Sequence, residues 1–233
     1  MDGKVTIEEH FALPETLGPG SSELHRRLQD FHGERIELMD RCGVAFAILS
    51  LNGPAVQAET QTAEAIDMAR RANDLLAEEI GKSPGRLGGF AALPMQDPEA
   101  AICELERAVG ELGLLGANVN GFSETVGPTT HLYYDRPEYR PFWAAIEKLE
   151  VPFYLHPRNP FFDDMPFFDE HPWLTYASWA YALETAMHAL RLMCGGLFDD
   201  HPRLQMVLGH LGERIPFDLW RAGQTKTATK FTV

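Results

Sequence analysis

Three groupings of carboxylate and imidazole stand out in the 233 residues: Glu8-Glu9-His10, the His156 of Tyr154-Leu155-His156-Pro157-Arg158, and Gly209-His210-Leu211-Gly212-Glu213. Carboxylate oxygen and neutral imidazole nitrogen are the donors that divalent cations take from proteins, and histidine is also the side chain that moves protons near neutrality. On an extended chain, residues two apart share a face. Glu8 and His10 therefore point the same way and Glu9 points to the other side. With His156 arriving from a second strand, the set suits a cation such as zinc at contacts of ~2.0–2.2 Å. A carboxylate in place of a further imidazole moves preference toward harder ions, so manganese and magnesium stay open. His210 differs: it lies between Gly209 and Gly212, where backbone can approach a ligand closely, and Glu213 is near enough to orient its ring. That pattern suits a proton shuttle. Singly, each grouping has a structural explanation, as a solvated rim, a hydrogen-bonded junction histidine or a glycine-capped helix start. Their conjunction at strand ends is what points to chemistry.

The other histidines take structural assignments. Glu184 and His188, four apart in a helical pattern, are expected to form a surface or interhelical pair. His25, His32, His131, His171 and His201 are expected in loops or at helix edges. Cys42, Cys103 and Cys194 are odd in number, far apart and within helical patterns, so they are expected to be reduced core thiols. No CxxC, nucleophile-elbow serine or phosphate-binding glycine loop is present; Gly18-Pro19-Gly20-Ser21-Ser22 reads as a flexible turn.

The elements that must carry these residues alternate regularly. Lys4–His10, Val44–Leu51, Leu87–Leu93, Leu114–Asn120, Pro152–His156 and Leu204–His210 read as strands. Val44–Leu51 (VAFAILSL) is continuously apolar, as in parallel sheets buried on both faces. Between them, Ile66, Ala69, Asn73, Leu76 and Ile80 recur at helical spacing, as do Trp179, Leu183, Ala186, Met187, Leu190, Cys194 and Leu197. Asp97-Pro98 is a helix start that runs to about Leu112, and Arg136–Glu150 is another helix. Each interval between strands leaves room for a crossover helix, the pattern of a parallel βα repeat. Parallel architectures place their sites at the carboxyl ends of strands, where the three groupings fall. Two long connections follow such ends. Phe11–Phe31 is rich in Pro, Gly and Ser, and Pro157–Thr175 carries Phe161, Phe162, Phe167, Phe168 and Trp173, suiting a lid or a subunit interface.

Composition excludes other classes. With 34 acidic and 20 basic side chains the net charge is −14, which disfavours the phosphate backbone of nucleic acids. An apolar fraction of 45% supplies a core rather than a disordered chain. No run approaches the ~18–20 apolar residues of a membrane span, and no basic segment precedes an apolar run at the N-terminus. The sequence reads as a soluble, cytoplasmic protein.

Beyond the residues themselves, the sequence resembles the amidohydrolase-related metal-dependent decarboxylases, most closely their dihydroxybenzoate (resorcylate) branch. The resemblance runs from Gly3 to about Arg221. It is carried by Ile7-Glu8-Glu9-His10-Phe11, Ile48-Leu49-Ser50-Leu51-Asn52, Phe90-Ala91-Ala92-Leu93-Pro94, Val119-Asn120-Gly121-Phe122-Ser123, Phe153 to Pro160, and Leu208 to Glu213. The wider superfamily opens with His-x-His; Glu-x-His is the variant of the decarboxylase branch. The resemblance implies metal ligation by Glu8, His10 and His156, acid/base work by His210 with Glu213, and a substrate wall that includes Asn120 and Phe122. It implies non-oxidative decarboxylation of an ortho-hydroxylated benzoate (2,3- or 2,6-dihydroxybenzoate, or salicylate-like), a carbon–carbon lyase reaction with Zn, Mn or Mg and no organic cofactor. A homodimer or homotetramer is implied for the full-length form.

The fold implied is a (β/α)8 barrel of TIM type with ~300 or more residues. Its eighth strand ends in an aspartate that completes the metal site, and an arginine beyond the Trp220-Arg221 region helps hold the substrate carboxylate. Against that pattern, residues 1–223 are expected to form six of the eight βα units, with 224–233 a divergent tail, and turnover is expected to be impaired. Two alternatives remain at this stage: a hydrolase of the same superfamily acting on a lactone or amide, and a non-catalytic remnant.

Overall fold

A computed structural model describes residues 3–18, 20–126, 130–161 and 168–224. The first strand, β1 (Lys4–Phe11), pairs in parallel with β2 (Val44–Leu51), and β2 pairs with β3 (Leu87–Gly89). Between β1 and β2 lie α1 (Ser22–Leu28) and α2 (Glu34–Cys42); α3 (Thr62–Lys82) precedes β3, and α4 (Pro98–Gly110) follows it. Next come β4 (Ala117–Asn120) and a short antiparallel hairpin of β5 (Ser123–Glu124) and β6 (His131–Leu132). The chain continues through α5 (Arg140–Leu149), β7 (Phe153–His156), α6 (Ala180–Cys194), α7 (Leu197–Asp200), β8 (Met206–Leu208) and α8 (Ile215–Gly223). β4, β7 and β8 form a second parallel set. Ala91 joins the two sets through a parallel bridge to Ala117, with its N–H donating to Gly116 O at 2.8 Å and its carbonyl accepting from Asn118 N at 2.9 Å. Six parallel strands thus run in chain order among the described residues, with helices in the crossovers, as in barrel-type α/β folds.

Local chemistry explains the elements. All four residues of β7 are buried, as are Leu49, Ser50 and Leu51 at the end of β2, as strands covered on both faces require. On α3 the buried set Ala65, Ala69, Ala72, Asn73 and Leu76 follows one helical face. Asp97 caps α4, its carboxylate accepting from Glu99 N (2.9 Å) and Ala100 N (3.1 Å), with Pro98 in the first turn. Trp143, buried with Phe142 and Ile146 on α5, donates its indole N–H to Tyr134 O at 2.9 Å.

Several expectations need correcting. The predicted strand Leu87–Leu93 is paired continuously only over Leu87–Gly89, and Leu204–His210 only over Met206–Leu208. The Phe11–Phe31 connection contains α1, capped by Ser21, whose hydroxyl accepts from Leu24 N at 3.1 Å. All three cysteines are exposed: Cys42 and Cys194 are the last residues of α2 and α6, and Cys103 lies off the buried face of α4 formed by Ala101, Glu104, Leu105 and Ala108.

The orientation of α6 also departs from the apolar spacing. Trp179, Met187 and Cys194 are exposed, whereas Glu184, Thr185 and His188 are buried. Glu184 and His188 therefore do not form a surface pair. Glu184 accepts from the Tyr133 hydroxyl (3.0 Å), and His188 Nε2 accepts from Tyr134 N (3.3 Å). These partners let two polar side chains face inward where periodicity had placed apolar ones. Of the aromatic connection Pro157–Thr175, residues 162–167, with Phe162 and Phe167, lie outside the described residues, as does most of the predicted tail 224–233.

Two predictions follow from these buried polar groups. Asn73 donates to Ala92 O (2.9 Å) and Glu104 Oε1 (2.7 Å) and accepts from Ala92 N (2.8 Å), joining α3, the chain after β3, and α4. Asn73→Ala should cost about 2 kcal/mol or more, at about 1–3 kcal/mol for each buried group left unpaired. The urea midpoint should fall without a change in m; an unchanged midpoint would mean the bonds carry no net weight.

Burial raises the Glu184 carboxyl to about 7, outweighing the Tyr133 hydrogen bond. Glu184 thus stabilises the fold at acid pH and loses that contribution as pH rises from its ordinary range through about 7. Burial lowers His188 to about 3, which has the opposite sign: stability is gained as pH rises from about 3 to its ordinary range. Glu184→Gln, which keeps an acceptor for Tyr133, should therefore gain stability relative to the parent between about pH 5 and pH 8. Parallel stability curves for the two proteins would defeat the assignment.

Candidate metal centre

The curvature of the strand array brings the carboxyl ends of β1, β7 and β8 together. Glu8 and His10 share one face of β1, opposite the exposed Val5 and Ile7, and Glu9 turns outward to within 3.8 Å of Arg35. His156 is the last residue of β7. One nitrogen each from His10 and His156 and one oxygen from Glu8 all lie within 4.8 Å of one another. The His10 and His156 rings meet edge to face, with centroids 4.6 Å apart.

Neighbouring groups prepare these side chains for ligation. Ser50, paired in register with His10 across β1 and β2, is buried and its Oγ lies 3.1 Å from His10 Nδ1. Because the Ser50 hydroxyl is placed to donate to Glu9 O (3.4 Å), its lone pair is left to accept Nδ1–H, which assigns the free lone pair of His10 to Nε2. Burial, followed by the nearby His156, lowers His10 to about 3, so it is a neutral imidazole at physiological pH. Burial pushes the Glu8 carboxyl up, but bonds from His156, Tyr154 and the His210 N–H outweigh it and hold the group at about 2, an ionised ligand. His156 Nδ1 is buried with no hydrogen-bond partner among the described residues. A carboxylate, two imidazoles and an orphaned ring nitrogen fit a divalent cation.

His210 follows β8 in a tight turn. His210, Leu211, Gly212 and Glu213 all have positive φ, at 48°, 60°, 74° and 51°. Three of these residues carry a Cβ, so the turn holds strain of the kind found at functional sites. It places His210 Nε2 3.0 Å from Glu8 Oε1 and Nδ1 3.0 Å from Glu213 Oε1. Burial pushes the Glu213 carboxyl up against the pull of the His210 ring.

A cavity of about 750 Å³ opens beside these groups, lined by His10, Asn52, Gly53, His156, Arg158, Tyr181 and His210 among others. Glu8 lines a neighbouring groove of about 470 Å³ along α1 and α2, and His10 borders both. Asn120 and Phe122 are buried behind the wall and are not among the residues lining the cavity. Asn120 lies close to Gly53, where a Cβ would come within 2.8 Å of its Oδ1. Phe122 lies beneath the Arg158 guanidinium, 3.9 Å from ring centroid to Cζ, and Arg158 crosses Gly121, where a Cβ would collide with the arginine stem. Arg158 also donates to Phe122 O (2.8 Å) and pairs with Glu124.

The residues missed by sequence reasoning are Tyr154, Ser50, Arg158 and Tyr181. Tyr154 was accessible by the rule that paired Glu8 with His10, since Tyr154-x-His156 also shares a strand face. Ser50 required the β1–β2 register, and Tyr181, whose ring centroid is 5.6 Å from that of His210, required the packing of α6.

The apoprotein should take up Mn²⁺ or Zn²⁺ in a defined stoichiometry by elemental analysis after gel filtration. Glu8→Ala and His156→Ala should abolish that uptake. Full retention by both variants would exclude this ligand set.

The sequence of residues 7–224 matches the amidohydrolase family model. The gamma-resorcylate decarboxylase of Rhodococcus jostii (strain RHA1) is 58% identical over 232 residues, covering 95% of this chain and 70% of that protein. A crystal structure of 2,6-dihydroxybenzoate decarboxylase complexed with 2,6-dihydroxybenzoate superposes with a TM-score of 0.93 at 55% identity, covering 100% of this chain and 74% of that one. The dihydroxybenzoic acid decarboxylase of Polaromonas sp. JS666, with bound manganese and the inhibitor 2-nitroresorcinol, gives a TM-score of 0.91 at 53% identity, covering 95% of this chain and 69% of that one. With the parallel βα architecture and the carboxylate–imidazole cluster at its strand ends, the chain belongs to the amidohydrolase family.

Proposed function

We propose that this chain is a metal-dependent, non-oxidative decarboxylase of ortho-hydroxylated benzoates, with 2,6-dihydroxybenzoate as the first substrate to test. The observation that carries the reading is the placement of His210, backed by Glu213, against the Glu8, His10 and His156 cluster at the edge of one cavity. The similarity to decarboxylases at 58% identity supports it. Glu8, His10 and His156 hold the cation, with manganese, zinc and magnesium all compatible with one oxygen and two nitrogen donors. Bound there, the cation supplies a Lewis acid and template for the substrate carboxylate and its adjacent phenolic oxygen.

The protein's own residues perform the proton transfer. His210 delivers a proton from Nε2 to the ring carbon that bears the carboxylate, which removes aromaticity at that carbon. The bond to the carboxyl carbon then breaks, its electron pair returns to the ring and carbon dioxide leaves. Glu213, beside Nδ1, orients the imidazole, and because the delivered proton stays on the product ring, His210 takes its next proton from solvent. Asn120, beside the cavity residue Gly53, and Phe122, beneath the Arg158 guanidinium, are the candidates for the substrate wall. Arg158 and Tyr181 shape the substrate end of the cavity.

The 233-residue protein loaded with Mn²⁺ should release carbon dioxide from 2,6-dihydroxybenzoate and form resorcinol, more slowly than a longer relative assayed beside it. His210→Ala should lower kcat by about 10²–10⁴-fold, the usual contribution of a positioned acid or base, with metal content unchanged. A fully loaded parent that leaves hydroxybenzoates intact but opens a lactone or amide would replace this reading with a hydrolase.

A further inference from the structure

The Glu8 carboxylate has unequal oxygens. Oε2 accepts two hydrogen bonds, one from the Tyr154 hydroxyl at 2.5 Å and one from the His210 backbone N–H at 3.2 Å. Oε1 takes neither and faces the imidazoles, 3.5 Å from His156 Nε2 and 3.0 Å from His210 Nε2. Tyr154 stands two residues before His156 on β7, so strand geometry puts its ring on the same face as that ligand and opposite Glu8 on the facing part of β1. Phe90 packs 6.0 Å from the Tyr154 ring, centroid to centroid, and limits where the phenol can swing.

From this geometry we infer that Tyr154 is a positioning residue: its hydroxyl occupies Glu8 Oε2 and so presents Glu8 as a one-oxygen ligand through Oε1. The inference rests on the proposed metal site and adds to it the residue that sets how the carboxylate binds. Without the hydroxyl, Oε2 keeps only the backbone donor, and the carboxylate is free to rotate or to offer both oxygens. Ligand-orienting bonds of this kind are worth about 10–100-fold in metal affinity. The bond does not hold the fold together, since β7 is already paired in register with β4 and β8.

The test uses metal affinity without substrate. Apoprotein is titrated with Mn²⁺ in competition with a fluorescent chelator, for the parent and for Tyr154→Phe, and thermal melting of each apoprotein is followed in parallel. Tyr154→Phe should bind Mn²⁺ about 10–100-fold more weakly while its apo melting temperature stays close to that of the parent. Tyr154→Met removes the same hydroxyl with a different shape and should weaken binding by a similar factor. With Co²⁺ in the site, the visible absorption of Tyr154→Phe should shift as the carboxylate changes its mode of binding. Unchanged Mn²⁺ affinity in both variants overturns the inference, as does a parent that takes up no Mn²⁺. Weakened binding in the variants of a parent that releases no carbon dioxide would leave Tyr154 in its role and remove the decarboxylase reading; normal turnover with unchanged affinity would do the reverse.

Discussion

The carboxylate of Glu8 is the point on which the site depends. It lies on the first strand, yet the hydroxyl, imidazole and backbone N–H around it come from β7 and from the turn after β8. Removing a carboxylate from water is costly unless donors replace the lost hydration, and here they arrive only if the parallel array curves enough to bring its first and last described strands together at their carboxyl ends. The curvature, the apolar strands that sustain it and the strained turn at His210 all bear on one group. The same donors that keep Glu8 ionised also hold one of its oxygens toward the imidazoles of His156 and His210.

Elsewhere, buried polar side chains join elements that hydrophobic packing would leave free to slide. Asn73 links α3 to the chain after β3 and to α4, and Gln57 links Leu93 O to Asn120 N at the end of β4. Glu184 and His188 fix α6 against Tyr133 and Tyr134. Each such group is costly if its partner is lost, so these contacts specify position more than they add stability. Position matters at this site: Asn120 presses on the cavity wall at Gly53, and Tyr181 on α6 reaches toward His210.

The donor set divides the chemical work. Two imidazoles and an ionised carboxylate suit a cation, while His210 stands between the carboxylates of Glu8 and Glu213, as a proton-transfer residue would. Groups that hold charge and groups that move it stand side by side because their surroundings differ. Glu8 receives three donors, and Glu213 faces a single imidazole in a partly buried turn. Shared ancestry with aromatic-acid decarboxylases is consistent with that division.

Much was legible in the amino-acid order. Period-two spacing placed Glu8 and His10 on one face, a continuous apolar run marked β2, and Asp97-Pro98 marked the start of α4, because these depend on neighbours in the chain. Periodicity found α6 but not the whole of its inward face. It counts apolar side chains, and it cannot see that Tyr133 and Tyr134, far away in sequence, donate to Glu184 and His188. Similarly, the exposed cysteines were misjudged because residue type alone does not say which face of a helix a position occupies. The sequence by itself determined the carboxylate and imidazole groupings, the strand ends that carry them and the alternation of strands and helices. Only the tertiary structure decided that Ser50 meets His10 across β1 and β2, that Tyr154 donates to one oxygen of Glu8, and that Phe122 lies beneath the Arg158 guanidinium. Those relations are set by register and by the curvature of the sheet, which emerge only when distant strands pack together.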